Sequence, residues 1–313
     1  MSMSTIALEG RREGLAARLS DLYQLTRPRI ALLELVTVSV GAVVAAAGIP
    51  AEPIVLLHAI VGTTLLAASA SMINQWLECE TDRLMPRTAD RPLPAGRVSP
   101  AQVVGLGMFS GIAGVLYLIA LVNLATALLG LVCWTLYTAV YTPLKFRTPA
   151  NTFVGAIAGA IPVLMGWTAV SGSFAGPQGI LAATLFLVVF LWQFPHFMAI
   201  AWLYRHDYQA AGVRVIPTVD PTGRRAGAQA VMAALVLIPI TLLPAVLLWT
   251  LDLSAAYFAG ALSLGLMQAF AAIRFALSRD DATARRLLHA TLIYLPVLFG
   301  LLLMVPLMIP RAV

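Results

Sequence analysis

Long runs of apolar residues, broken by short polar connections, dominate this chain. A bilayer-spanning helix needs about 20 mainly apolar residues, and runs of that size fall at about 30–48, 54–76, 100–120, 123–141, 151–170, 178–202, 227–249, 254–274 and 288–308. The pattern predicts an all-α, polytopic membrane protein with nine transmembrane helices and its termini on opposite sides. Gly, Thr and Pro dilute the fourth and fifth runs, so their assignment leans on the loop charges. Composition agrees: 60% of the 313 residues are hydrophobic and 11% are charged, against about 25% charged in a soluble domain. Lipid, not water, is the solvent expected for most of the surface.

Lys and Arg collect on the cytoplasmic side of membrane proteins. With nine spans, Arg11, Arg12, Arg18, Arg27 and Arg29 share a side with Arg83, Arg87, Arg91 and Arg97. Lys145, Arg147, Arg205, Arg214, Arg224, Arg225, Arg274, Arg279, Arg285 and Arg286 fall there too, leaving Arg311 alone of the 20 basic residues on the other. The expectation is therefore a cytoplasmic N-terminus; a bacterial cytoplasmic (inner) membrane is the expected location, with a bacterial or mitochondrial source left open by the sequence. The formal charge of +6 is mostly this topological signal. It would draw that face to anionic headgroups and gives no reason to expect nucleic acid as a partner. Residues 1–29 lack the central apolar run of a cleaved signal and are expected to form a cytoplasmic arm ahead of a single transmembrane domain at 30–313. A mitochondrial presequence would also be rich in Arg and Ser, but Glu9, Glu13 and Asp21 count against one. Two cysteines, Cys79 and Cys133, offer no disulfide framework or zinc spacing.

The connections on the opposite side are short and almost uncharged, whereas two basic-side loops, 77–99 and 203–226, are long and polar. Long loops are where function concentrates. Four spans separate the two, which suggests two four-helix halves with equivalent loops, plus one extra helix, around a central cavity. Sites in duplicated membrane folds lie between such halves.

At the end of the second span, Asn74, Glu78 and Asp82 follow one another at four-residue steps. On a helix such positions drift by only about 40° per step, so three oxygen-bearing side chains share a face at the membrane boundary. Mg²⁺ takes one or two carboxylates and draws its remaining ligands from substrate phosphates and water. Glu78, Glu80 and Asp82 could instead be a solvated helix end balancing nearby arginines, but an amide left within an apolar span is costly, and Asn74 continues into the two carboxylates. Downstream, Arg87 and Arg91 stand among prolines in the string MPRTADRPLPAGR at 85–97. Arginines so held can grip phosphate through two parallel hydrogen bonds; a rigid basic turn obeying the charge bias is the plainer alternative.

The two segments together resemble the first motif of the intramembrane prenyltransferases, the UbiA-type superfamily, with Glu78 where that motif carries Asp. At the end of the sixth span, Gln193, His196, Ile200, Tyr204 and Asp207 fall within a stripe about 80° wide, a polar line descending from inside the membrane to the second loop. The strings WQFPHF (192–197), DYQAAG (207–212), YTPLKFRTPAN (141–151) and the basic string of the first loop resemble those of the protohaem IX farnesyltransferases, also called haem O synthases. That resemblance runs from about Thr26 into the last span. It departs at Arg214 and Val215, where the family tends to an apolar stretch with Met and Pro.

The resemblance implies transfer of the farnesyl group of farnesyl diphosphate to a vinyl group of haem B, with hydration, giving haem O for haem–copper oxidases. It implies Mg²⁺ held by Asn74, Glu78, Asp82 and Asp207, which are also the candidate catalytic residues. Arg87, Arg91, Lys145 and Arg147 are candidate diphosphate ligands, and Gln193, His196, Tyr141 and Tyr204 candidate contacts for haem or the prenyl chain. Farnesyl diphosphate, haem B and the lipid bilayer are the implied partners, and a haem A synthase or oxidase assembly factors would also fit. Trp76, Tyr137, Tyr141 and Trp192 offer π-faces to an allylic cation or serve as interfacial aromatics. For His196 the sequence leaves open an iron ligand or a propionate contact. A quinone-precursor prenyltransferase would share the metal site but lack WQFPHF. A secondary transporter would place its polar residues near the bilayer midplane, not at one edge, and a non-catalytic assembly factor would tolerate loss of Asp82.

Overall fold

The structure, a computed structural model, describes residues 14, 16–175, 178–247 and 251–308. Among them nine helices are long and apolar enough to cross a membrane: α1 (Pro28–Ala45), α2 (Pro53–Leu77), α3 (Pro100–Leu121), α4 (Leu124–Thr135, carried on by a π-helical turn Leu136–Tyr141), α5 (Asn151–Ser171), α6 (Gln178–Leu203), α7 (Arg224–Leu247), α8 (Leu251–Ser278) and α9 (Asp281–Met308). No strand occurs among the described residues.

Local chemistry sets the starts. Proline opens α1, α2 and α3, where its missing N–H costs nothing. Ser99 caps α3 in a reciprocal box with Gln102. Asn123 accepts from the Thr126 N–H at 2.8 Å at the head of α4, and its amide donates to Thr168 O of α5 at 2.8 Å. The dilute fourth and fifth runs are thus both helices, tied to each other at their far ends. Two helices begin earlier than apolarity alone predicts. Polar first turns extend α7 to Arg224 and α9 to Asp281, the latter capped by Asp280, which accepts from Thr283 N–H at 2.7 Å. The predicted end of the seventh run, 248–249, lies outside the described residues.

Every successive pair of these helices packs together, α4–α5 included, and α9 also closes on α1 and α6, an arrangement compatible with the expected halves α1–α4 and α5–α8 plus one extra helix. The halves meet most closely where α1 crosses α5. A Cβ on Gly41 would lie 2.1 Å from Val163 O, and one on Gly166 1.8 Å from Val38 O, so only glycine permits this backbone approach. In lipid, helix association draws on packing and interhelical hydrogen bonds, and several are present: Trp134 Nε1 to Ser69 Oγ at 2.9 Å, Ser110 Oγ to Leu65 O at 2.7 Å, and Trp192 Nε1 to Thr291 O at 2.8 Å.

The π-helical turn in α4 bears directly on function, as such turns often do. Thr142 Oγ1 donates to Tyr137 O, five residues back, at 2.8 Å. The turn directs Tyr141 and Lys145 toward the end of α2, with the Lys145 ammonium 4.5 Å from the centre of the Tyr141 ring.

Candidate diphosphate and metal site

At the polar end of the bundle a cavity of about 280 Å³ opens between the two long loops. Its floor comes from the end of α2. The helix stops at Leu77, Glu78 takes φ −98°, ψ 6°, and a single turn Cys79–Asp82 follows. Four-residue hydrogen bonding persists across the break, Glu78 N to Asn74 O at 2.9 Å and Asp82 N to Glu78 O at 2.8 Å. Glu78 and Asp82 therefore face one cavity despite the interruption.

Each carboxylate meets a cation. Lys145 Nζ lies 2.6 Å from Glu78 Oε1, and Arg91 Nη1 lies 2.5 Å from Asp82 Oδ2. Burial acts to raise the Glu78 carboxyl, but the hydrogen-bonded Lys145 and the nearby Arg27 outweigh it and hold it below the usual carboxylate value. Asp82 goes the other way: burial pushes its carboxyl up, Arg91 opposes, and the Glu78 charge adds to the rise. One carboxylate is stabilised as an anion by its surroundings, and the other is held at a cost that a cation would relieve.

The second loop forms the opposite wall. It folds as short helices Arg205–Ala210 and Ile216–Val219 and is pinned to the segment after α4 by Arg214 N to Lys145 O at 2.7 Å and Asn151 Nδ2 to Arg214 O at 2.6 Å. Val213 and Val215 line the cavity while Arg214 between them is exposed. Arg214, where the sequence departs from the resembled family, thus anchors the wall through its backbone hydrogen bonds. Met85, Ala211 and Val213 form a small buried cluster joining the two loops. Arg87 is stacked 4.3 Å from the Tyr204 ring centre and 4.7 Å from that of Tyr208.

Of the residues singled out in the sequence, Glu78, Asp82, Arg87, Arg91, Lys145 and Tyr141 line this cavity. Asn74 is fully buried behind it, its Oδ1 accepting from Arg27 Nη1 at 2.8 Å and its Nδ2 donating to Thr142 Oγ1 at 2.9 Å. Tyr204 touches the site through Arg87. Asp207 is half-buried in the short helix and Arg147 is exposed; neither belongs to the lining. Gln193 donates to Ala156 O of α5 at 2.9 Å, and His196 Nδ1 is 2.9 Å from Thr291 Oγ1 of α9 while its ring stacks on Trp192. The predicted polar stripe of α6 therefore splits between two helix interfaces, because residues three apart on a helix differ by about 60° in direction. Trp76 is exposed and Trp192 sits in the core against α9.

Among the polar lining residues that the sequence did not point to are Arg27, Tyr208 and Asn151, with Thr81 and Thr88 beside them. Tyr208 and Asn151 lay within the motif strings already noted. Arg27 counted only toward the charge bias, and the one local signal is its place immediately before Pro28 at the head of α1.

The UbiA prenyltransferase family model matches residues 35–305. The chain is 39% identical to a protoheme IX farnesyltransferase of Solibacter usitatus over 91% of this chain and 98% of that protein. It is 42% identical to one of Rhodopirellula baltica over 88% and 96%. Among solved structures the fold is similar to a digeranylgeranylglyceryl phosphate synthase, with TM-score 0.78 and 15% identity over 94% of this chain and all of that one. It is also similar to a UbiA homolog from Archaeoglobus fulgidus bound to DMAPP and Mg²⁺, with TM-score 0.67 and 17% identity over 91% and 99%. A nine-helix bundle with paired carboxylates and clustered cations at one end, matched along most of its length by these relatives, belongs to the UbiA prenyltransferase family, on the branch of the protoheme IX farnesyltransferases.

Proposed function

We propose that the chain transfers the farnesyl group of farnesyl diphosphate to a vinyl group of haem B, with addition of water, giving haem O and diphosphate. The observation that carries this reading is the cavity itself, where Glu78 and Asp82 are surrounded by Arg27, Arg87, Arg91 and Lys145 at the end of an apolar bundle. A farnesyl chain gains roughly 0.8 kcal/mol per buried CH₂, so it favours the spans, while its diphosphate stays among the cations. The names of the Solibacter usitatus and Rhodopirellula baltica relatives support the farnesyl donor and the haem acceptor.

The residues fit a divalent metal. Among the described residues no three His, Cys, Asp or Glu side chains cluster closely enough to cage an ion, but Mg²⁺ typically binds through one or two carboxylates and completes its shell with substrate phosphates and water. Glu78 and Asp82 are hard oxygen donors of that kind, and Asp207 would join them from the second loop only with movement of that loop. When bound, Mg²⁺ offsets diphosphate charge as the leaving group departs.

The chain's own side chains do the rest. Lys145, Arg91 and Arg87 stabilise the negative charge that grows on the diphosphate as its carbon–oxygen bond breaks. Tyr141 lines the cavity with the Lys145 ammonium over its ring, and its π-system would also favour an allylic cation formed beside it. The vinyl group attacks that cation, and water adds to the carbon that becomes electron-deficient and releases a proton, leaving the hydroxyl group. The charge bias of the loops supports a cytoplasmic position for this end of the bundle, in the inner membrane of a bacterium.

The test is incubation of the purified, detergent-solubilised protein with haem B, farnesyl diphosphate and Mg²⁺, followed by mass spectrometry for the hydroxyethylfarnesyl product. Product should form, and should disappear with EDTA and in Asp82→Asn. Unmodified haem in a sample that is folded and binds farnesyl diphosphate would refute the haem acceptor and turn the search to quinone precursors.

A further inference from the structure

We infer that Asn74 acts as the positioning residue of Arg27, and that Arg27 receives the diphosphate through the Nε–Nη2 edge of its guanidinium. The inference rests on the prenyl diphosphate reading above and deepens it.

Arg27 occupies an unusual backbone position. Its φ of 47° and ψ of 60° lie in the left-handed region, uncommon for a non-glycine residue, and Pro28 follows at once as the first residue of α1. Such a conformation persists only where the surroundings enforce it. Here Asn74, from the other side of the cavity floor and 47 positions away, holds Nη1 at 2.8 Å. Nε and Nη2 are buried and meet no hydrogen-bond partner among the described residues. These two nitrogens share one edge of the planar guanidinium and point their N–H bonds in parallel, the geometry that matches two oxygens of a phosphate. A charged donor pair that is buried and unpartnered among the described residues, on a side chain that lines a cavity with three further cations, is a ready seat for an anion.

The identity of the tethering residue matters as much as its place. Arg27 lies among Glu78 and Asp82, yet those carboxylates take Lys145 and Arg91 as their partners. Arg27 is instead held by a neutral amide, which orients the guanidinium without cancelling its charge. Both ends of that amide are already engaged, since Nδ2 donates to Thr142 Oγ1. Thr142 in turn donates to Tyr137 O within the π-helical turn, so Asn74 also links Arg27 to the turn that carries Tyr141 and Lys145. A metal ion at Oδ1 would share that oxygen with the guanidinium and meet a like charge beside it.

The two possible roles of Asn74 predict opposite results for Asn74→Asp. As a metal ligand, aspartate should bind Mg²⁺ at least as well as the amide. As a positioning residue, aspartate should pair with Arg27 and neutralise it. The experiment is isothermal titration of the full-length, detergent-solubilised protein with inorganic diphosphate, first without Mg²⁺ and then with Mg²⁺ titrated at fixed diphosphate. Wild type, Asn74→Asp, Asn74→Ala, Arg27→Lys, Arg27→Ala and Asn74→Ala/Arg27→Ala are compared, each first checked by thermal melting. In the Mg²⁺-free titration, Arg27→Ala and Arg27→Lys should each weaken diphosphate binding by about tenfold or more, the scale of lost charge-assisted hydrogen bonds. Both Asn74 variants should weaken it as well, with the double variant no worse than Arg27→Ala and no gain in Mg²⁺ affinity for Asn74→Asp. Tighter Mg²⁺ binding by Asn74→Asp, or full Mg²⁺-free affinity in Asn74→Ala, would overturn the positioning role. Unchanged affinity in Arg27→Lys would overturn the seat on Arg27 while leaving the prenyl diphosphate reading standing. A wild-type protein that binds no diphosphate under either condition would sink both.

Discussion

Lys145 Nζ and Glu78 Oε1 lie 2.6 Å apart although 67 positions separate the two residues. The pair joins the segment after α4 to the end of α2 across the cavity floor. Its side chains are 18% and 10% exposed, so neither charge is well hydrated. Such a pair adds little over an apolar substitute, but breaking it strands a charge. Its value here is chemical, because it holds the Glu78 carboxyl down and places an ammonium on the cavity wall, where the proposed diphosphate would sit.

Removing Lys145 alone should therefore be costly. Lys145→Met is expected to lose about 3–5 kcal/mol of stability, the usual penalty for orphaning one member of a buried pair, read as a lower melting temperature in detergent. Lys145→Met with Glu78→Gln should recover much of that loss while remaining poor at binding diphosphate. Equal melting temperatures for wild type and Lys145→Met would show that water reaches the pair freely.

Arg87 provides the second test, because it bridges the loops by stacking on two tyrosine rings. The guanidinium stacks on Tyr204 and Tyr208, contacts worth about 0.5–1 kcal/mol each at exposed sites. Arg87→Ala should loosen the segment 203–223, so limited proteolysis there should accelerate, and added diphosphate should protect wild type more than the variant. Arg87→Lys should behave almost as badly, since an ammonium keeps the charge but loses the planar stack. A proteolytic pattern identical in all three proteins would remove Arg87 from the role of loop tie.

The sequence made the helices legible because lipid imposes a single requirement, a run of apolar residues long enough to span it. It also exposed Glu78 and Asp82, because four-residue spacing keeps a face even across the break at Glu78. It hid Arg27, whose place on the cavity wall goes with Asn74 lying against it, a contact between distant residues that no local pattern encodes. It overextended the stripe on α6, because a helix buried on several sides can send Gln193 to α5 and His196 to α9. And it started α9 too late, at 288, because the polar turn from Asp281 is held by a cap and not by apolarity.

That cap makes a pH-dependent prediction. Asp280 accepts from the backbone N–H of Thr283, and this bond, with that from the Thr283 hydroxyl, holds its carboxyl below the ordinary value. A carboxylate so depressed contributes stability that is present above its unfolded pKa and lost as pH falls through the lower folded value. Asp280→Ala should melt below wild type near neutrality, and the gap should close on acidification past the usual carboxylate range. A gap that persists at the acid end would mean that Asp280 acts by packing and not as a charged cap.

His196 carries the sharpest choice between structure and chemistry. Its Nδ1 meets Thr291 Oγ1 at 2.9 Å, and its ring lies 5.0 Å from that of Trp192, whose indole N–H donates to the Thr291 carbonyl. The three residues brace α6 against α9 at the level of the WQFPHF string, away from the walls of the diphosphate cavity. If bracing is the work of His196, then His196→Phe keeps the ring stack and loses one hydrogen bond, a cost of about 1 kcal/mol. The melting temperature should fall slightly while haem B binding, followed at its Soret band, keeps both affinity and line shape. An imidazole that ligates iron would give the reverse, a displaced Soret band and weakened haem binding in a protein of nearly unchanged stability. Thr291→Val separates the two further, because it removes the brace and leaves the imidazole in place, so it should reproduce the stability loss of His196→Phe and none of a ligand's spectral signature.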